Sequence, residues 1–214
     1  FCREDFAQGL RFGLPPALQF SVTAGGNIAL QNFMNGFGSH TVAAITTAYR
    51  VDTIMLLPII NLGSAISTMV AQSKGAGEPQ RARHFWRTGA MMNLVVSLLL
   101  MAVMLLFGGK LVALFGVEAE AAAIGRRFFQ RISLFYVFFG LACSMRGTIE
   151  GTGRVVYSSA VSIAALLLRI ALSYLLAAPF HNMAIPYAEG LHWIFMVLCF
   201  LPFFLRRDRW TQNS

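Results

Sequence analysis

Residues 89–107 read GAMMNLVVSLLLMAVMLLF. The stretch holds no charged residue, and its only polar side chains are Asn93 and Ser97. About 20 such residues in a helix cross the hydrocarbon core of a bilayer. From Met101 to Phe107 the run is apolar on every face. A barrel strand would alternate apolar and polar positions instead. The stretch therefore reads as a membrane helix.

Working outward, five further apolar blocks occupy residues 14–37, 42–70, 128–145, 155–178 and 185–204. Over the 214 residues, 57% are hydrophobic and only 12% charged, with a mean hydropathy of +0.63. A soluble domain is typically about 25% charged, so a water-soluble enzyme is excluded. The net charge is +8, but the charges fall mostly between the apolar blocks, so they do not suggest a nucleic-acid partner.

The links between blocks are too short for a further folded domain. The chain reads as one all-α, polytopic transmembrane helical bundle of six spans, residues 13–206. Residues 1–12 and 207–214 are cytoplasmic tails. With six spans both ends lie on one side. That side collects Arg3, Arg11, Lys74, Arg81, Arg83, Arg87, Arg146, Arg154, Arg206, Arg207 and Arg209. The other has Lys110, Arg126 and Arg127, with Arg131 at its edge. The larger basic set places both ends in the cytoplasm of a multi-pass plasma (inner) membrane protein. A short interfacial helix is expected over 110–115. Trp86, Trp193 and Trp210 suit interfacial positions.

Polar groups inside the spans carry most of the functional information. Gln19, Thr23, Asn27, Gln31 and Asn35 recur every four residues and form one stripe on the first span. Such a stripe lines a cavity, or else bonds neighbouring helices as packing glue. Arg50 and Asp52 lie in the second span and Arg169 in the fifth. An ionised group in a membrane faces the bundle interior or a water-filled cavity, usually with a partner. Arg50 and Asp52 are two apart and do not face each other on a helix. An Asp52–Arg169 pair is one arrangement. Arg50 then takes polar atoms of the first span, or Glu189. A fixed structural ion pair is the alternative to a functional one.

Pro58 removes a hydrogen bond from the middle of the second span and should kink it, with Gly63 loosening the next turn. Pro15 and Pro16 suit a helix start. Gly75-Ala76-Gly77 and Gly151-Thr152-Gly153 read as glycine turns at helix ends, or as traces of an old hairpin duplication. The phenylalanines of 128–139 are lipid-facing or core residues, or else line an aromatic cavity. Cys2, Cys143 and Cys199 lack metal-ligand or disulfide spacing, so no metal site is expected. No phosphate-binding GxxxxGK[ST] motif, HExxH or potassium-filter sequence occurs.

Several strings resemble the MATE (multidrug and toxic compound extrusion) family. Tyr49-Arg50-Val51-Asp52, Leu57-Pro58, Leu62-Gly63-Ser64-Ala65 and Val70-Ala71-Gln72-Ser73-Lys74-Gly75-Ala76-Gly77, then Arg81-Ala82-Arg83, resemble its eighth helix and the following loop. Pro15, Gln19 and Asn35-Gly36-Phe37-Gly38 resemble its seventh. Arg146, Gly147, Gly151, Thr152 and Gly153 resemble the end of its tenth, and Leu168-Arg169-Ile170-Ala171 with Tyr174-Leu175-Leu176 its eleventh. The resemblance covers nearly the whole chain and implies the C-terminal six-helix lobe of a twelve-helix transporter. An N-terminal six-helix lobe is then expected upstream in the same chain, in agreement with a first residue of Phe1 rather than Met.

The resemblance further implies a secondary-active antiporter that exports organic cations and drugs in exchange for H+ or Na+. It has no cofactor and is not an enzyme. Its partners are a small organic cation and the lipid bilayer, with no nucleic acid. Some members carry acids in the seventh and tenth helices. The matching positions 21–24 and 128–145 hold none here, and Asp52 is the acid clearly inside a span. Two other functions stay open. One is a lipid-linked saccharide flippase, with Arg50 and Arg169 facing a pyrophosphate. The other is a non-transporting truncated membrane scaffold.

Overall fold

The computed structural model describes residues 3–116 and 118–205. Residues 206–214, with the basic tail and Trp210, lie outside them, as does Cys2. Regular structure among the described residues is helical: α1 Arg3–Asn35, α2 Ser39–Gly75, α3 Pro79–Ala113, α4 Ala119–Ile132, α5 Tyr136–Gly151, α6 Val155–Leu175, α7 Ala177–Phe180 and α8 Ala184–Leu205. A 3-10 turn, Ser133–Phe135, joins α4 to α5, and a second, His181–Met183, joins α7 to α8.

Five rods are long and apolar enough to cross a membrane: α2, α3, α4 with α5, α6, and α7 with α8. The sixth expected span, α1, has ample length at 33 residues but falls short in apolarity. Its stripe of amides and hydroxyls is the reason. Pro15 and Pro16 stand inside α1 rather than at its start, because helix already runs from Arg3. The expected interfacial helix over 110–115 is also replaced. Residues to Ala113 simply continue α3, and the separate helix begins at Ala119.

Glycine sets the closest helix approaches. A methyl group on Gly63 would lie 3.0 Å from the Cys143 carbonyl oxygen. One on Gly147 would strike the Gly63 carbonyl, and one on Gly151 would reach 2.5 Å from the Ser67 carbonyl. Gly63 therefore seats α5 against α2, and α2 is helical across Pro58. Without water-driven collapse, membrane helices gain mainly from such close packing. Asn93 of α3 crosses the same junction. Its Nδ2 donates to Ser144 Oγ at 2.9 Å and to the Ile59 and Gly140 carbonyls at 3.3 Å. The two polar residues of the opening stretch are thus buried within the bundle.

The two glycine turns share one geometry. Gly77 and Gly153 have φ of 71° and 89°, a region that L side chains avoid. Each completes a Schellman cap: Glu78 N–H to the Ser73 carbonyl at 2.9 Å, and Arg154 N–H to the Ile149 carbonyl at 3.2 Å. Lys74 Nζ donates to the Thr152 carbonyl at 2.8 Å and ties the turns together.

The first helix stands differently. It packs chiefly on α6 and touches α2 much less. A gap is left between α1 and α2, and the polar residues meet there.

The close α2–α5 crossing generates a direct expectation. Gly147→Ala should destabilise the natural protein carrying this chain by about 1–3 kcal/mol through overpacking. Gly13→Ala, where a methyl group meets nothing within 4 Å, should not. Thermal unfolding of both variants in detergent would read the difference.

Candidate functional site

Five helices converge on a cavity of about 560 Å³. Asn27 and Gln31 of α1 face it, with Tyr49, Arg50 and Asp52 of α2, Phe139 of α5, Arg169 of α6, and Glu189, His192 and Trp193 of α8. An inward-facing position on α2 recurs every three to four residues. Tyr49, Asp52 and Leu56 fit that spacing, and all three line the cavity.

Arg169 forms an ion pair with Glu189, not with Asp52 as one sequence reading had it. Arg169 Nη2 also donates to Tyr49 Oη at 3.0 Å. Tyr49 Oη in turn donates to Glu189 Oε2 at 3.2 Å. The guanidinium carbon lies 5.8 Å from the Tyr49 ring centroid. The side chains of Arg169 and Glu189 are only 14% and 10% exposed. A charge pair so far from water survives only where its remaining donors and acceptors are satisfied, and the tyrosine hydroxyl does part of that work.

Asp52 belongs to a second unit. It is 5% exposed and accepts a hydrogen bond from the buried Tyr136 hydroxyl. Among the described residues it forms no ion pair. His192 Nδ1 is buried without a hydrogen-bond partner and stands 3.8 Å from Glu189 Oε1. Phe139 and Trp193 form an aromatic wall with ring centroids 4.8 Å apart. Trp193 is 3% exposed and lines the cavity, so its ring faces the bundle interior. Its ring fills space between α5 and α8.

The polar stripe of α1 divides. Asn27 and Gln31 reach the cavity. Gln31 Nε2 donates to Asn35 Oδ1 at 3.3 Å, and Asn35 lines an outer cavity instead. Thr23 hydroxyl turns back on the Gln19 carbonyl at 2.8 Å. Gln19 is buried and accepts from Arg146 Nη2 at 3.3 Å, which ties α1 to α5 at the other end. Cavity lining and packing glue are thus both present, at different positions. Arg50 engages neither Glu189 nor an amide of α1 (no such contact among the described residues). Pro58 is exposed and Gly63 is buried in the α2–α5 crossing, so neither touches the cavity.

Sequence reasoning passed over Tyr49, Tyr136, His192 and Trp193 as site residues and named Glu189 only as an alternative partner of Arg50. Glu189 was detectable as the single acid inside the last apolar block. It lies 140 positions from Tyr49, beyond any helical spacing rule. Among the described residues no group of three or more His, Cys, Asp or Glu is placed to hold a metal ion.

The family model described as MatE matches residues 15–175. The chain belongs to the MATE family. Two curated relatives come from Bacillus subtilis. The probable multidrug resistance protein YpnP is 27% identical over 208 residues, covering 97% of this chain and 46% of the relative. The probable multidrug resistance protein YoeA is 29% identical over 157 residues, covering 73% and 34%. The MATE chain thus spans less than half the length of these relatives. A solved multidrug resistance MATE family transporter in an outward-facing conformation superposes with a TM-score of 0.86 at 19% identity, over 94% of this chain and 45% of that one. That likeness establishes the fold: an all-α, multi-pass membrane bundle.

The Arg169–Glu189 unit can be separated from Asp52 by stability. Glu189→Gln should leave a buried guanidinium without its counter-charge and cost about 3–5 kcal/mol. Pairing it with Arg169→Met should recover most of the loss. Asp52→Asn keeps an acceptor for Tyr136 and should cost little. A double-mutant cycle on thermal unfolding in detergent checks all three.

Proposed function

We propose that this chain is the C-terminal half of an ion-coupled drug exporter and that the cavity between α1, α2 and α8 holds an organic cation. The observation that carries this reading is the unpaired carboxylate of Asp52 in the cavity. Asp52 and Glu189 face the cavity with Arg50 and Arg169, and Arg169 is taken by Glu189. Among the described residues Asp52 forms no ion pair and has a neutral hydroxyl donor. A cation beside Asp52 would supply the missing charge, and the faces of Tyr49, Phe139 and Trp193 would favour a lipophilic one.

The same carboxylate couples export to an ion. A proton arriving at Asp52 neutralises it and removes the attraction for the cation, so proton and cation compete for one group. We choose H+ over Na+ because Asp52 has one hydroxyl hydrogen-bonded to it among the described residues, whereas a hard cation needs a larger set of oxygens. The curated relatives are about twice as long as this chain, which supports an N-terminal six-helix lobe as partner. Alternating access needs one bundle to move against another, so the chain works within the longer protein. It lies in the plasma (inner) membrane, with both ends of the segment cytoplasmic on the excess of basic residues there.

The flippase reading needs two arginines free to face a pyrophosphate. Arg169 is occupied by Glu189, which weighs against it. The scaffold reading offers no reason for a cavity lined with charge.

Efflux of a fluorescent organic cation from cells expressing the natural protein tests the proposal. Asp52→Asn should cut export at least about tenfold, equivalent to about 1.4 kcal/mol, at an unchanged amount of protein. A matching fall in protein amount would assign Asp52 to structure. Dissipating the pH gradient should stop export, while replacing sodium should not. The reverse pattern would make Na+ the coupling ion.

A further inference from the structure

The bundle divides into two packing units. α2, α3 and α5 pack on one another, and α1 packs on α6. Across the seam the approach is slight: α1 barely touches α2, and α5 packs little on α6, while α8 leans on both units. Polar side chains cross this seam at two depths. One crossing is at the cavity, where Arg169 of α6 meets Tyr49 of α2. The other lies near the Gly153 turn, at the helix ends that are cytoplasmic on the reading above. There Arg146 Nη2 of α5 donates to Gln19 Oε1 of α1 at 3.3 Å. Arg146 Nε donates to Glu150 Oε1 at 2.7 Å, and Ser158 Oγ of α6 donates to the same oxygen at 2.8 Å. Ser158 and Arg169 stand eleven residues apart on α6, about 16 Å along its axis.

Gln19 stands out on its helix. Among the described side chains of residues 6–25 it is the one that is buried, while its neighbours Leu18 and Phe20 are 55% and 69% exposed. A buried amide needs a hydrogen-bond partner. Here the partner comes from α5, across the seam, and not from α6, on which α1 packs. Glu150 neutralises the arginine, and Ser158 holds Glu150, so the arginine is set in place before it reaches α1. Packed helix faces shift as units rather than deform. A polar bond between two such units breaks without disturbing the packing inside either. We propose that Arg146 is a latch: its bond to Gln19 closes the seam on the cytoplasmic side of the cavity, and breaking it opens a water-filled route from the cytoplasm to Asn27 and Asp52 within this lobe. What travels that route rests on the export reading above. The movement is of α1 with α6 against α2, α3 and α5, and it adds to any motion of one lobe against another.

The test uses the natural protein carrying this chain, in membrane vesicles, with Asn27→Cys as a reporter in the cavity. A membrane-impermeant thiosulfonate is applied to inside-out vesicles, and the protein without the reporter gives the background from native cysteines. Arg146→Gln and Gln19→Met each remove one side of the latch. Each should speed labelling of the reporter by about tenfold, the scale of one charge-assisted hydrogen bond. Arg146→Lys, which keeps a charged donor, should label more slowly than Arg146→Gln. In right-side-out vesicles none of these substitutions should speed labelling. Equal acceleration from both faces means a loosened fold and overturns the proposal. So does no acceleration from the cytoplasmic face, or acceleration by Arg146→Gln without Gln19→Met. If neither variant accumulates in the membrane, the bond is one that folding requires, and the latch is overturned. Labelling needs no transport, so a protein that shows the latch and exports no organic cation overturns the export reading alone.

Discussion

The Arg169–Glu189 ion pair, closed by the Tyr49 hydroxyl, is the constraint on which the rest of the site depends. Charges this far from water are tolerated only with partners in contact. The pair therefore fixes how α2, α6 and α8 stand relative to one another. Once Arg169 is committed to Glu189, Asp52 keeps the Tyr136 hydroxyl as its hydrogen-bond donor and forms no ion pair among the described residues. The electrostatic character of the cavity follows from which acid the buried arginine chose.

Packing supplies the complementary constraint. Gly63, Gly147 and Gly151 bring α2 and α5 to backbone contact, and Asn93 adds hydrogen bonds from α3 to the same crossing. The bundle is thus tight on one side. On the other, α1 rests on α6, where a methyl group on Gly26 would come within 2.7 Å of Leu166, and it leaves α2 mostly uncovered. A polar helix set apart from its neighbour makes a cavity without any cost in core packing. The amides of Asn27 and Gln31 then face space, where they can bond a ligand or water.

Much of the fold was legible because membrane helices announce themselves by length and continuous apolarity. Residues 155–178 and 185–204 correspond closely to α6 and α8. The ends at Gly77 and Gly153 were readable because a Schellman cap needs a left-handed residue. The first helix was harder. Its stripe marked a polar face correctly, and the same polarity lowered its hydropathy below that of the other five rods. Pro15 and Pro16 suggested a start where the helix continues, since proline is tolerated inside membrane helices.

The sequence by itself determined that this is a multi-pass helical membrane protein, that two of its helices end at the Gly77 and Gly153 turns, and that Arg50, Asp52 and Arg169 are in-span charges needing an explanation. Those properties depend on composition and on spacings within one helix, and both are local. Only the tertiary structure decided that Arg169 pairs with Glu189, that Tyr136 holds Asp52, and that Trp193 lines a cavity. Those outcomes depend on which helix faces meet across separations of up to 140 residues. Buried charges are selective about distance and angle, so no periodicity along the chain could have chosen among their possible partners.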